Sequence, residues 1–346
     1  MSSKNAIYTA VFLPLAVVLG VLPLAYTRVF SSAVSVSGKA RVEKTRLVMG
    51  NVPCTVVLQA ANAELAEKAA SAAFAAVERV DNACDDFNPE SELSRLNATA
   101  YARPFKCSPL LWDIITKCRR YHEISGGAFD ITISPLMSLW GFRRKRGELP
   151  GEDEIKRALE SVGFDKLRFD SENKTVAFTV SGMKLDLGGM AKGYAVDLAA
   201  EAVLALGVRS GIINLAGNAR CLPEPFPGKT KYRVGVENPF DKTSIVDILD
   251  VLDASVATSG DYERFVILDG KRYSHIIDPR TGHPASGEHS ATVLTPSASD
   301  ADALSTTVFV NGPEFAREFN NEHPETKFVF VSGKNQQRMK VERIGF

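Results

Sequence analysis

The chain has 346 residues, with 41 basic and 41 acidic side chains and no net charge. That balance excludes a nucleic-acid binder working by bulk charge, which usually carries a basic excess. Hydrophobic residues at 45% and charged residues at 24% are those of an ordinary globular protein, long enough for two domains or one large enzyme domain.

The first predicted element is the uncharged stretch "AIYTAVFLPLAVVLGVLPLAYT", Ala6 to Thr27, preceded by Lys4. A spanning helix needs roughly 20 apolar residues, so the stretch reads as an export signal, cleaved or kept as an anchor. Its length favours an anchor, whereas Pro14, Pro23 and an A-x-S site at Ala33–Ser35 favour cleavage. Basic residues after it (Arg28, Lys39, Arg41, Lys44) weaken a positive-inside argument for orientation. No cysteine follows the segment to carry a lipoprotein anchor. Residues 1–30 are therefore read as signal or signal-anchor, 31–44 as linker, and 45–346 as one folded domain.

Beyond a Ser-rich stretch to Gly38, "RLVMGNVPCTVVLQA" reads as two strands around a turn at Gly50–Pro53. Asn62 caps a long helix, "AELAEKAASAAFAAVERVDNA". "FNPESELSRLN" is a loop entering a short helix, and Ser108–Pro109 opens another by the N-cap plus N1-proline signature. "EDEIKRALESVG" is a short amphipathic helix and "KLRFDSENKTVAFTV" a hairpin. "KLDLGGMAKGYAVD" reads as strand, paired-glycine turn and helix, followed by the buried strand "GIINLAG". Strands at "YRVGVENP", "SIVDILDVLD", "ASVATSG" and "RFVILDGKRYSHIID" come next, the last pair hinged on Asp269–Gly270. "SASDADALSTTVFVNG" is a helix, and "TKFVFVSG" and "RMKVERIGF" close a sheet. Strands and helices mix without regular alternation, which predicts an α+β fold over a doubly wound one. The five cysteines show no C-x-x-C spacing and are expected as buried free thiols, with Cys84–Cys107 the pair if a bridge forms.

Four stretches carry candidate chemistry. Gly188–Gly189 either admits a ligand to the backbone or packs a helix tightly on a strand. Lys192, in the first helical turn, opposes the macrodipole and invites an anion, while Asp186 binds a ligand's donor group or caps the turn. The order of residues matches neither a P-loop nor a dinucleotide fingerprint. Asp302 and Thr306 lie four apart on one helix face. They offer hard oxygen ligands suited to Mg²⁺, unless Asp302 belongs to a capping cluster with Asp300. His275, in a strand, is either a general base or a structural histidine. Gly126–Gly127 with Phe129, Asp130 and Trp140 makes either an aromatic-walled pocket or a helix end packed on core aromatics. "ATSGDY" either presents Ser259 and Asp261 or caps a loop.

Taken in order, "MGN", "FNPESELSRLN", "GGAFDITISPLMSLWGF", "DLGGMAKGYAVD", "INLAGNAR", "VATSGDYERF", "YSHIIDPRTGHP" and "SDADALSTTVFVNGP" resemble the ApbE-like family of FAD:protein FMN transferases, from Met49 to about Gly312. The resemblance implies one α+β, T-fold-like catalytic domain with FAD held between its lobes. The implied reaction breaks the FAD pyrophosphate: a Ser or Thr hydroxyl of a target protein takes FMN and AMP leaves. Asp302, Thr306 and the Gly189 carbonyl are implied as Mg²⁺ ligands. Met49, Phe87, Ala128, Phe129, Asp130, Asp186, Lys192, His275 and Ile276 are implied as FAD contacts, Phe87 stacking on adenine. His275 and Asp302 are the implied catalytic pair, His275 as base or positioning group. Implied partners are exported electron-transport flavoproteins with a Ser/Thr-Gly-Ala-Ser/Thr acceptor segment, which this chain lacks. The catalytic domain is then expected on the periplasmic side of the inner membrane. Two departures stand out: Asn218 where the family usually has aspartate, and Asn88–Pro89 where it often has Asp–Pro. An FAD pyrophosphatase and a non-catalytic periplasmic flavin-binding protein are the rival readings.

Overall fold

The structure, a computed structural model, describes residues 34–36, 39–143 and 146–346. The predicted segment Ala6–Thr27 lies outside the described residues. The strands of the first half are β1 (Val34–Val36), β2 (Lys39–Val48), β3 (Val52–Ala60), β4 (Phe105–Lys106), β5 (Leu167–Asp170) and β6 (Thr175–Phe178). Then come β7 (Ser210–Leu215), β8 (Asn218–Cys221), β9 (Tyr232–Asn238), β10 (Asp241–Val251) and β11 (Ala254–Gly260). The last are β12 (Phe265–Leu268), β13 (Lys271–Ser274), β14 (Glu288–Thr295), β15 (Lys327–Ser332) and β16 (Lys340–Ile344). The helices are α1 (Ala63–Cys84), α2 (Glu92–Thr99), α3 (Pro109–Ile124), α4 (Ser134–Leu139), α5 (Glu152–Leu159), α6 (Ala191–Ala205) and α7 (Ala298–Glu322).

A nine-stranded sheet, ordered β1-β2-β3-β7-β8-β11-β14-β15-β16, forms the centre, and every neighbouring pair is antiparallel. Strand periodicity of two divides its side chains between two cores. Val56, Leu58, Ile213, Val293, Phe328 and Phe330 face α1, α6 and α7. Their neighbours Val57, Ile212, Leu294, Val329 and Val331 face the β9–β10 hairpin on the other side. The result is a helix layer, a sheet and a hairpin layer, the α+β architecture expected. A smaller core built on Leu136, Trp140, Ile155 and Ile277 joins α4 and α5 to the β12–β13 hairpin.

Small side chains let the helix layer close up. Ala66, Ala69, Ala70, Ala73 and Ala76 of α1 are buried at helical spacing, and α6 buries Ala195, Ala199 and Ala200. Where α6 meets α7 only glycine fits: a Cβ on Gly193 would lie 2.1 Å from the Ala298 carbonyl oxygen.

Several boundaries differ from the sequence expectation. β2 begins at Lys39, inside the stretch read as linker, because its cross-strand partners on β3 run down to Ala60. The first turn closes sooner, with Met49 and Asn51 at positive φ and β3 already under way at Val52. The last helix breaks at Gly312 (φ 80°) but resumes at once, since Pro313 suits a helical first turn. His275 lies one residue past β13. All five cysteines are free and buried, so no Cys84–Cys107 bridge forms.

Candidate active site

Residues 179–190 connect β6 to α6, and Lys184–Leu187 form no strand. Leu185 is fixed by Asn97, which both donates to its carbonyl (3.0 Å) and accepts from its N–H (2.7 Å). Asp186 Oδ1 then accepts from Gly188 N–H at 2.8 Å, shaping the glycine turn. Gly189 is pressed against Phe129 and Thr306: a Cβ there would lie 3.0 Å from the Phe129 ring and 3.5 Å from Thr306 Oγ1. The paired glycines therefore serve both close packing and an open backbone next to the Thr306 hydroxyl.

The N-terminus of α6 has no side-chain cap of its own. Asp302, from α7, fills that role. Its Oδ2 accepts from Gly193 N–H at 2.9 Å, and its Oδ1 pairs with Lys192 Nζ at 3.2 Å. Lys192 Nζ also donates to the Gly188 carbonyl at 3.0 Å. The α7 N-terminus is capped in return by Asp197 of α6, which accepts from the backbone N–H groups of Ala298 (2.7 Å) and Ser299 (2.8 Å). The two helices thus cap each other. Asp302 does not join a cluster with Asp300; Ser297 and Asp197 hold its own helix end instead. Thr306 sits one turn beyond Asp302, 3.4 Å from Ser259 Oγ.

These groups open into a cavity of about 330 Å³, at the lower end of small-molecule sites. Gly189, Asp302 and Thr306 line it, together with Asp186, Lys192 and His275. So do Met49, Phe87, Ala128, Phe129, Asp130 and Ile276. Every residue that the resemblance implies as an FAD contact or metal ligand therefore lines one cavity, which lies against both the main core and the smaller one, whereas Gly126, Gly127 and Trp140 do not line it. Ser259 also lines it; Asp261 instead ties its loop to Arg272 and His289.

The side chains are not equally free. Asp130 turns its carboxylate inward, accepting from Thr132 N–H, the Thr132 hydroxyl and Phe164 N–H. Burial pushes that carboxyl up, against those hydrogen bonds and the neighbouring His122. Asp130 therefore reaches the cavity as a wall and not as a free ligand. Phe87 is the opposite case, an aromatic ring 65% exposed at the cavity edge. His275 Nδ1 lies 3.0 Å from the Arg264 carbonyl, so Nδ1 carries the proton and Nε2 keeps its lone pair. Burial of the ring, with the charge of Arg264, pushes its pKa down to about 4. The imidazole is neutral at ordinary pH.

Sequence reasoning missed Asp86, Arg143, Glu263 and Arg264, all of which line the cavity. Arg143 pairs with Asp86 and, at 2.6 Å, with Asp186. It stands at the head of "RRKR", a run whose bland reading is a solvated face. Burial, then the charge of Asp186, push Asp86 up, while Arg143 opposes the shift. Of the two departures, Asn88 keeps a local role, since its Oδ1 accepts from Glu90 N–H. Asn218 is buried outside the cavity lining, and its Oδ1 has no partner among the described residues.

A magnesium ion fits the donor chemistry. Asp302 offers a buried carboxylate and Thr306 a hydroxyl at the cavity beside the Gly189 backbone, oxygen groups of the kind Mg²⁺ takes together with waters and phosphates. Among the described residues no group of three His, Cys, Asp or Glu is placed to hold a metal by itself.

Comparison with known proteins decides the family. The model of the ApbE family matches residues 49–330. The chain belongs to the ApbE family. An FAD:protein FMN transferase of Vibrio cholerae serotype O1 is 32% identical over 242 residues, 69% of this chain and 72% of that one. Another from Treponema pallidum is 31% identical over 316 residues, covering 86% and 87%. Among solved structures, the ApbE protein of Thermotoga maritima superposes with a TM-score of 0.79 at 29% identity, covering 88% of this chain and 97% of its own. The flavin transferase ApbE from Vibrio cholerae gives 0.77 at 27% identity, with the same coverage. The ApbE fold is thus matched across nearly the whole described chain.

Proposed function

We propose that this ApbE-family protein transfers FMN from FAD to a Ser or Thr hydroxyl of an exported acceptor protein, with Mg²⁺ and release of AMP. The convergence of Gly189, Lys192, His275, Asp302 and Thr306 on one cavity carries the reading, and the names of the relatives support it. Asp302, Thr306 and the Gly189 carbonyl would hold the metal. When bound, Mg²⁺ would neutralise the pyrophosphate and stabilise charge on the departing AMP phosphate.

The protein's own groups divide the remaining work. Lys192, tied to Asp302 and to the Gly188 carbonyl, lays a cation along the floor where an anionic pyrophosphate would rest. Phe87 offers its exposed ring as a stacking surface for the adenine. Met49, Ala128, Phe129 and Ile276 exclude water from the flavin side. His275 Nε2, with its lone pair free, takes the acceptor's hydroxyl proton as the new oxygen–phosphorus bond forms and the bond to the AMP phosphate breaks.

Among the described residues no helix is long and apolar enough to cross a membrane. The uncharged stretch Ala6–Thr27 supports an export signal or anchor that puts the catalytic domain on the periplasmic side.

The deciding experiment incubates the protein with FAD, Mg²⁺ and an acceptor carrying a Ser/Thr-Gly-Ala-Thr segment, and reads the acceptor's intact mass. The expected outcome is a gain of one FMN phosphoryl group with stoichiometric AMP. Free FMN and AMP with an unmodified acceptor would assign a pyrophosphatase instead.

A further inference from the structure

We propose that Arg143 is a positioning residue which couples the base-stacking wall of the cavity to the glycine turn beside the metal ligands. The proposal rests on the FAD-binding reading above.

Three contacts converge on one guanidinium. Its terminal nitrogen donates to Asp186 Oδ2 at 2.6 Å. The same group pairs with Asp86. Its carbon lies 5.2 Å from the centroid of the Phe87 ring, within cation–π range. Asp86 and Phe87 belong to the connection between α1 and α2, Asp186 to the segment leading into the glycine turn, and Arg143 to the segment after α4. One side chain therefore ties three separate stretches of chain.

Asp186 makes the tie mechanical. Its Oδ2 holds Arg143 while its Oδ1 accepts from Gly188 N–H at 2.8 Å. The carboxylate is a strut with the guanidinium at one end and the turn at the other. Gly188 and Gly189 have no side chains with which to anchor themselves, so the turn's position depends on such outside contacts. Without Arg143, the largely buried carboxylates of Asp86 and Asp186 would face each other uncompensated, and like charges in that setting separate or take up a proton. Arg143 Nε is buried with no acceptor among the described residues. The guanidinium is accordingly held by the two carboxylates and not by a full set of hydrogen bonds.

Two readouts need no turnover. FAD affinity is measured by quenching of flavin fluorescence, first without Mg²⁺ and then across a Mg²⁺ titration. Arg143→Ala is expected to weaken FAD binding about ten-fold without metal, the loss of one charged hydrogen-bonded contact. It is also expected to raise the Mg²⁺ concentration that half-saturates the FAD-bound protein by a similar factor. Arg143→Lys keeps the charge but not the planar fork, and should recover part of the FAD affinity while leaving the Mg²⁺ requirement raised. If Arg143→Ala fails to fold, Arg143→Lys decides by itself. Variants that bind FAD and Mg²⁺ as the unaltered protein does would overturn the role of Arg143 alone. An unaltered protein that does not bind FAD would overturn the underlying reading as well.

Discussion

At the scale of single residues, His275 shows how a neighbour's backbone sets chemistry. The Arg264 carbonyl claims Nδ1–H, which leaves Nε2 as the acceptor, and burial with the Arg264 charge holds the pKa down to about 4. A base with that pKa is in its working, neutral form at every pH well above 4. We therefore expect kcat/KM for FAD to stay level from pH 8 down to about pH 5 as far as His275 is concerned, with its acid limb near 4. A limb centred near the ordinary value of 6.5 in the free enzyme would contradict this assignment. His275→Gln should lower kcat by about 10²–10⁴-fold if the imidazole takes the acceptor's proton; a near-unchanged kcat would make it a positioning group. The same shift bears on stability. The unfolded chain binds a proton near pH 6.5 and the folded one only near 4, so this residue's contribution is complete above 6.5 and declines as pH falls through that window. Met49, Phe87, Ala128 and Ile276 were legible only through the family resemblance, while Asp186, Lys192, His275, Asp302 and Thr306 were legible by residue type as candidates, each beside a structural alternative. Arg143 was not. Nothing in the basic run marks Arg143 as the arginine that folds inward between Asp86 and Asp186.

Among elements, the crossing of α6 and α7 matters most. Sequence periodicity gives each helix, its start and its apolar face, and Ser297 is a recognisable N-cap. It does not give their mutual placement, because Asp197 and Asp302 act on each other's helix across a separation of about a hundred residues. Nor does the motif reveal that Gly193 is required by packing, since any Cβ there would collide with the Ala298 carbonyl. Asp302 caps α6 and, on the proposed function, also holds the metal, and two variants separate these roles. Asp302→Ala should abolish turnover and also cost about 1 kcal/mol of stability through the lost α6 cap. Asp302→Asn keeps an acceptor for Gly193 N–H and should melt close to the unaltered protein, yet lose Mg²⁺-dependent turnover with the charge. Thermal melting beside turnover distinguishes them; an active Asp302→Asn protein would remove the carboxylate from the metal set.

For the molecule as a whole, the α+β class followed from irregular strand and helix order, while the strand order of the central sheet did not. β7 inserts beside β3, and β11 beside β8, through pairings between segments far apart in sequence that no local pattern specifies. The small core under α4, α5 and the β12–β13 hairpin was equally hidden, since Trp140 finds its partner in the Gly282 carbonyl, 2.8 Å away but 142 residues on. Localisation belongs to this scale too. On the proposed periplasmic placement, protease added to intact spheroplasts should degrade the domain, whereas a cytoplasmic marker survives. Protection until the membrane is lysed would place it on the inner side.

The reciprocal caps have one more consequence. Helix ends ordinarily fray, since their first amides lack partners and each end opens by itself. Here the amide of Gly193 is closed by a carboxylate from α7, and those of Ala298 and Ser299 by one from α6. Each first turn is thus held by a carboxylate from the second turn of the other helix, Asp302 on α7 and Asp197 on α6. The floor beneath Lys192 and Thr306 is therefore expected to open as one unit, with the amides of Gly193, Ala298 and Ser299 exchanging more slowly than helix-start amides usually do, which hydrogen exchange would read.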